Sequence, residues 1–153
     1  MEAFFYAYFY PEMDFSTLGY VGLCLAGFLS STILPMNSEG VLVVLLTQDF
    51  DPWTCLIVAT VGNSLGGLTN YWIGSFGKTA WLKRFGVSTV RLLQLEQRVH
   101  KYGYWLAFFS WVPFIGDPLT IALGYFRVSF PRVVGLMVLG KFLRYALLIW
   151  LVR

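Results

Sequence analysis

Charged side chains are scarce in this chain. Only 12% of its 153 residues are Asp, Glu, Lys or Arg, whereas soluble domains carry about 25%. Hydrophobic residues make up 58% of the chain, and the mean hydropathy is +0.67. So few charges cannot cover the surface of a water-soluble domain. The composition therefore predicts an integral membrane protein, and the length predicts a single domain, residues 1–153.

Motifs of catalysis and metal binding are missing as well. The sequence has no HExxH, GxSxG or Walker A motif and no paired Cys and His residues. The two cysteines, Cys24 and Cys55, lie in apolar runs without CxxC spacing, so we expect them to be packing residues. Ser110 precedes Asp117 but lacks a nearby histidine base. These absences argue against an enzyme, and no cofactor or metal is expected.

Two apolar stretches are interrupted in the same way. "LPMNSEG" and "VPFIGDP" each contain a proline followed four residues later by an acid, Pro35 before Glu39 and Pro113 before Asp117. The apolar runs after them, residues 40–47 and 119–126, would span about 12 Å as helices, against about 30 Å of hydrocarbon. Each run is too short to cross alone, so each is predicted to be the return arm of a re-entrant hairpin.

The same order of elements occurs twice along the chain. Each hairpin is followed by a predicted membrane span, at residues 53–77 and 133–152, and a shift of 78 residues aligns the two halves. This order predicts an internal repeat: repeat 1 at about 15–77, a connector at 78–101 and repeat 2 at about 102–153. The aligned pairs are Pro35 with Pro113, Glu39 with Asp117, Gly62 with Gly140, and Leu65 with Leu143.

Charge distribution predicts how the two halves are oriented. The connector carries six Lys and Arg residues against the single acid Glu96, whereas the segments beside the first hairpin are acidic. A nucleic-acid patch is the alternative interpretation, but a basic interfacial helix between membrane spans explains the charges under the positive-inside rule. The two hairpins then enter from opposite faces. The predicted fold is an all-α membrane protein, an inverted repeat of two re-entrant helical hairpins each followed by a transmembrane helix.

The breaks also contain signals for the start of a helix. Asn37 and Ser38 are favourable N-cap residues for the first return arm. Asp117 followed by Pro118, just after Gly116, is typical of a capping acid with proline at the first helical position. Under the simplest interpretation, Glu39 and Asp117 are helix caps and nothing more.

Four charges nevertheless lie in otherwise apolar segments. A charge near the bilayer centre costs about 2.5–3.5 kcal/mol, so four unpaired charges would cost roughly 10–14 kcal/mol. We therefore expect Glu39 and Asp117 to pair with Lys141 and Arg144 and to face an aqueous crevice. Lys141 and Arg144 are three residues apart, which places them on one face of a helix.

A polar stripe marks the first predicted span. Asn63, Gly66, Gly67 and Asn70 follow helical spacing, and Gly62 with Gly66 forms a GxxxG motif. We expect the glycines to allow close helix packing. For Asn63, a packing role and a role in lining a site both remain open.

At "LPMNSEG", "VGNSLGGLTNYWIG", "FFSWVPFIGDP" and "ALGYFRVS", the chain resembles the DedA family, also called SNARE-associated or VTT-domain membrane proteins. "GNSLGGLTN" and "LGKFLRY" are similar to its short YqaA-like branch. The resemblance covers roughly residues 30–145, and motifs from both halves appear in order. It implies two opposed re-entrant hairpins and a role in moving lipids between leaflets. Members are linked to flipping of undecaprenyl phosphate or phosphatidylethanolamine, and some to proton dependence.

Some residues match the family pattern and others depart from it. Glu39 matches the acid of the family's first hairpin, and Pro113 the proline of the second. Better-studied members place arginines three residues before and after that proline, where this chain has Ser110 and Gly116. A further acid expected earlier in the first hairpin falls at about Ser30. We expect Arg144 and Lys141 to substitute for the missing arginines, and the family's substrate is not transferred.

The resulting hypothesis is a flippase-like or scramblase-like lipid transporter of the bacterial inner membrane. It moves a phospholipid or polyprenyl-phosphate headgroup, so the expected partners are membrane lipids with an anionic phosphate; an oligomer is left open. Arg144 and Lys141 would hold the phosphate, with Asn63 and Asn70 as polar lining, while Glu39 and Asp117 would titrate. Burial and nearby cations act on a carboxylate in opposite directions, so proton coupling is left open. The alternatives are a proton-coupled carrier of a small polar solute or ion, and a non-transporting membrane-integrity scaffold.

Overall fold

A computed structural model describes residues 15–32, 37–77, 88–113 and 115–152. These residues form α-helices, one short 3₁₀ turn at Phe109–Trp111 and connecting turns, with no strand among them. The predicted all-α class is therefore confirmed. Pro35, the first break proline, lies outside the described residues. The helices are α1 (Phe15–Ser30), α2 (Ser38–Thr47), α3 (Pro52–Ser75), α4 (Thr89–Phe108), α5 (Gly116–Tyr125) and α6 (Phe130–Val152).

Both halves of the chain show the same succession of helix lengths. The short helices α2 and α5 have 10 residues each, and the long helices that follow them, α3 and α6, have 24 and 23. The opposed orientation of the halves and the re-entrant entry of the short helices refer to a bilayer, so they stay predictions. Within the described ranges, Phe130–Val152 alone is long and apolar enough to cross a membrane by length and composition. Helix α3 has the length, but its Gly, Asn, Ser and Thr residues lower its hydropathy.

Two predicted helix starts have different outcomes. The Asn37 side chain accepts a hydrogen bond from the backbone N–H of Gly40 at 3.0 Å, so Asn37 is the N-cap of α2 and Ser38 is its first helical residue. The prediction that Asp117 caps α5 is wrong. The helix begins at Gly116, its N-cap position is Ile115, and no side chain caps it. Asp117 lies in the first turn and its carboxylate bonds to other helices.

Two predicted boundaries also shift. Residues 89–101 of the connector and the start of the second arm, which we separated at residues 101 and 102, form one continuous helix, α4, because no Pro interrupts the sequence there. Residues 78–87 of the connector lie outside the described residues. The last span begins at Phe130 rather than at residue 133, since Pro131 fits the first turn of a helix, where its missing N–H has no partner to lose.

Helix α3 lies at the centre and is contacted by α1, α2, α5 and α6. Glycines of α3 and α5 allow two of these contacts to be close. A Cβ atom at Gly62 would meet the backbone carbonyl of Cys24 in α1. A Cβ atom at Gly124 of α5 would likewise meet the carbonyl of Tyr71 in α3. The packing role expected for the α3 glycines is therefore what the structure shows.

Two apolar clusters fill the interior, and each contains residues from both halves of the chain. Large apolar side chains also project outward from the long helices, among them Leu65 of α3 and Leu147 of α6, as expected of surfaces that meet lipid. Cys55 is buried in the first cluster, in agreement with its expected packing role. The buried members of the first cluster are Leu23, Leu42, Leu45, Cys55, Leu56, Ala59 and Tyr145, and those of the second are Tyr71, Ala107, Leu123, Val128 and Val133.

Candidate functional site

The first predicted pair of charges forms between α2 and α6. Arg144 donates through Nη2 to Oε1 of Glu39 in an ion pair. Its second nitrogen, Nη1, donates to the backbone carbonyl of Trp111 in the 3₁₀ turn at 2.8 Å. The side chains of Arg144 and Glu39 are 22% and 35% exposed, so this pair lies at the edge of the interior. Glu39 is placed there by the first turn of α2, which Asn37 caps.

The second cation is enclosed by protein. Lys141 lies one turn before Arg144 on α6, and it is only 2% exposed. Its ammonium donates to Oγ of Ser31 at 2.8 Å and to the backbone carbonyl of Asn63 at 2.6 Å. Gly67 of α3 makes room for it, because a Cβ atom there would lie 3.0 Å from Nζ. The lysine therefore reaches the backbone of the central helix.

Asp117 reaches Lys141 through a serine rather than directly. Oγ of Ser31 donates to Oδ1 of Asp117 at 2.8 Å, and Nδ2 of Asn70 approaches the same oxygen at 3.3 Å. Ser31 thus accepts from an ammonium and donates to a carboxylate, which uses its one proton and one lone pair. This arrangement fits a charged lysine and a charged aspartate, and it shows that Asp117, which does not cap α5, bonds to residues of the other half of the chain.

Asn63 links Lys141 to Tyr145, the chain neighbour of Arg144. Its side-chain amide donates to the hydroxyl of Tyr145 at 3.0 Å and to Oγ of Ser30 at 3.1 Å, while its backbone carbonyl accepts from Lys141. Tyr145 in turn shares a hydrogen bond of 3.0 Å with Ser38. Of the six residues that we predicted for the site, four are therefore linked by hydrogen bonds: Asn63, Asn70, Asp117 and Lys141. Glu39 and Arg144 form an ion pair beside them, and we refer to the two groups together as the network. Whether these residues bind a substrate stays a prediction.

Three members of this network were missed at the sequence level: Ser30, Ser31 and Tyr145. Ser30 is the last residue of α1 and Ser31 follows it, and hydroxyl residues are too common at helix ends to signal a site. Tyr145 offered a usable signal, since it lies four residues after Lys141 and therefore on the same helix face. Ser38, predicted as a cap, is instead a buried member of the network.

Gly116 and the two prolines of the second break have structural rather than polar roles. A Cβ atom at Gly116 would collide with the backbone carbonyl of Ser110, so these two positions pack directly against each other. Arg144 comes from α6 to the neighbouring carbonyl of Trp111. Its guanidinium therefore lies beside Ser110, which is one of the two positions where better-studied members of the family have an arginine. Pro113 and Pro118 are exposed at the turn into α5.

Comparison with known proteins identifies the chain's relatives. It is 39% identical over 140 residues to the inner membrane protein YqaA of Escherichia coli K12, which covers 84% of this chain and 87% of that protein. A protein of the same name from Shigella flexneri matches equally well. An uncharacterized protein of Haemophilus influenzae is 33% identical over 135 residues, or 83% of each chain. No solved structure matches the chain significantly.

The relatives confirm the predicted location, because the first two are named inner membrane proteins. A sequence model of the VTT domain matches residues 34–153, which include both short helices, the central helix α3 and every charged residue of the network. This family is associated with membrane transport. The chain therefore belongs to the VTT-domain family, the DedA membrane proteins, as the motifs at its two breaks predicted.

Proposed function

We propose that this protein moves a lipid with an anionic phosphate headgroup from one leaflet of the inner membrane to the other. The observation that carries the proposal is the placement of Arg144 and Lys141. Both cations lie on one face of α6, and each is joined to an acid from a different short helix. Charges inside an apolar protein are costly to keep, and in membrane proteins they mark pathways for ions and substrates.

The proposal includes the inverted repeat. Ten helical residues extend about 15 Å, so neither α2 nor α5 crosses about 30 Å of hydrocarbon. We take them to be the return arms of two hairpins that enter from opposite faces within the single domain. Their first turns, which carry Glu39 and Asp117, then meet α6 near the middle of the bilayer. In many transporters such opposed broken helices enclose the substrate site.

The chemistry of the network suits a phosphate group. The guanidinium of Arg144 is able to bind two phosphate oxygens in parallel, and it is the more exposed of the two cations. The N-terminal turns of α2 and α5 add positive helix ends. The lipid tails would stay in the bilayer beside the exposed apolar faces of the long helices. Lys141 offers a second positive charge one turn deeper, and Asn63 and Asn70 supply amide groups beside it.

Reconstitution into liposomes with labelled lipids on one leaflet tests this function. Glu39→Gln and Arg144→Gln should each reduce translocation by tenfold or more, since each removes one charge of the partly exposed ion pair between Glu39 and Arg144. The matched controls are Glu96→Gln and Arg98→Gln, which change exposed charges on α4 and should translocate lipid at the wild-type rate. Circular dichroism and gel filtration check that each variant is folded.

The outcomes separate this proposal from its alternatives. Wild-type rates in both site variants would remove the charged network from the mechanism. Uptake of a soluble ion or solute without lipid movement would assign the same site to a solute carrier. If neutral replacements at all four charged positions left both lipid movement and cell growth unchanged, the network would be a structural feature of a scaffold.

A further inference from the structure

The ion pair at the edge of the network contains a group that imitates the proposed ligand. Glu39 presents a carboxylate to the guanidinium of Arg144, and a phosphate diester would present the same pattern of oxygens and charge. The remaining guanidinium contact described in the structure is the carbonyl of Trp111. A headgroup that binds Arg144 through two oxygens would therefore compete with Glu39 for the guanidinium.

We infer that Glu39 is an internal competitor for the anionic headgroup at Arg144, so that binding of one phosphate diester is linked to uptake of one proton. The inference rests on the proposed function, and it names the regulation of the same site. When a proton from solvent binds the Glu39 carboxylate, the side chain becomes neutral and releases the guanidinium. The affinity for the headgroup then rises as the pH falls.

The exposed fractions of the charged side chains support an exchange of carboxylate for phosphate at Arg144. The side chains of Glu39 and Arg144 are 35% and 22% exposed, and in the proposed site they face the aqueous crevice between the hairpins, through which Glu39 exchanges a proton. Lys141 is closed off at 2% exposure and has its own oxygen partners. The exchange of carboxylate for phosphate therefore takes place at the outer pair and leaves the inner group of Lys141, Ser31 and Asp117 intact.

The groups that face Glu39 limit the possible sources of a pH effect. Helix α6 contributes Arg144, Tyr145 and, one turn away, Lys141, and α5 contributes Asp117. The sequences of α1 and α3 contain no charged residue, so they offer only the Ser30 hydroxyl and the Asn63 amide. Asp49 and Asp51 lie at the opposite end of α2, ten or more residues from Glu39. Among the residues that the structure describes, Asp117 is thus the competing carboxylate, and the experiment has to distinguish it.

The experiment measures binding of short-chain phosphatidylglycerol to the purified full chain in detergent between pH 5.5 and 8. This probe carries one negative charge throughout that range, so any pH dependence arises from the protein. Affinity should rise toward low pH, by up to tenfold per pH unit where Glu39 titrates, which is the limit for one linked proton. Glu39→Gln should bind at pH 7.5 as tightly as the wild type binds at its low-pH limit, with the pH dependence lost. Arg144→Gln should fail to bind at any pH.

A second measurement needs no variant. In calorimetry, the dependence of the binding enthalpy on the ionisation enthalpy of the buffer should show uptake of about one proton at the pH where affinity changes most. Dimethyl phosphate, the headgroup without tails, distinguishes a free phosphate diester from a lipid as the ligand. Short-chain diacylglycerol, which has no phosphate, should not compete with phosphatidylglycerol. Glu96→Gln on α4 is the matched control and should show the wild-type pH profile.

Several results would overturn the inference. They are an unchanged pH dependence in Glu39→Gln, loss of the pH dependence in Asp117→Asn, and calorimetry without proton uptake. Loss of binding in a folded Glu39→Gln variant would show that the carboxylate supports the ligand instead of competing with it. Failure of the proposed function is distinct: proton-linked binding without lipid translocation would refute the transporter, whereas translocation with pH-independent binding would refute only the competition.

Discussion

The buried lysine offers the sharpest test of how the network is held together. In Lys141→Met, the ammonium that donates to Ser31 and to the carbonyl of Asn63 is replaced by an apolar group of similar length. Asp117 keeps its hydrogen bonds from Ser31 and Asn70 but loses the only cation in its part of the network. In Lys141→Met/Asp117→Asn, both charges are removed and an amide oxygen still accepts from Ser31.

The expected magnitudes follow from burial. Removing one partner of a buried charge pair costs about 3–5 kcal/mol, because the other charge is left uncompensated. We expect this loss for Lys141→Met at pH 7.5. The double variant should recover about 1–3 kcal/mol of coupling relative to the sum of the single variants, as is typical of residues in one polar network. Because lowering the pH protonates Asp117 and removes its charge, the deficit of Lys141→Met should shrink toward pH 5.

Urea unfolding in detergent at pH 7.5 and pH 5, followed by circular dichroism, measures these differences. Gel filtration before each titration ensures that only folded protein is compared. The reasoning would be refuted if the two single changes added up to the double change within about 0.5 kcal/mol. It would also be refuted if the deficit of Lys141→Met grew at low pH, since the carboxylate would then not be its source.

Three further predictions concern packing and capping. Gly62→Ala should lower the free energy of unfolding by about 1–3 kcal/mol, because its methyl group meets the Cys24 carbonyl. Gly22→Ala, whose methyl group meets nothing within 4 Å, should instead raise it by up to about 1 kcal/mol; equal effects in urea titrations would contradict the packing. Tyr145→Phe removes a buried hydroxyl with two partners and should cost about 1–3 kcal/mol in the same assay. Asn37→Ala should cost about 1 kcal/mol in thermal unfolding, whereas Asn37→Asp, which keeps an accepting oxygen, should not.

Much of the helical framework was predictable from local chemistry. Proline, asparagine and the change from polar to apolar residues indicated where α2 begins, and Asn37 does cap it. The same reasoning failed at Asp117, which has the sequence of a cap but not the role. Its carboxylate is used by Ser31 and Asn70 from two other helices, and a local pattern contains no information about partners so distant in the chain.

The residues of the candidate site were likewise predictable only in part from the sequence. The scarcity of charge in apolar segments was enough to single out Glu39, Asp117, Lys141 and Arg144, because the cost of burying them depends on residue type alone. The sequence did not reveal that Ser31 joins Lys141 to Asp117, or that Tyr145 completes the network. A hydroxyl is inexpensive to place almost anywhere, so its position in the sequence carries little information until its neighbours are known.

By itself, then, the sequence determined that this is a helical membrane protein of the VTT-domain family, with two short helices and a few charges in otherwise apolar segments. These properties follow from hydropathy, backbone restrictions and the cost of burying charge, all of which act locally. Only the tertiary structure decided which acid meets which cation, because residues 39 and 144 are brought together by the packing of four helices around the glycines of α3. Close contact between helix backbones determines which acid meets which cation, and this contact forms only when all the helices are packed together.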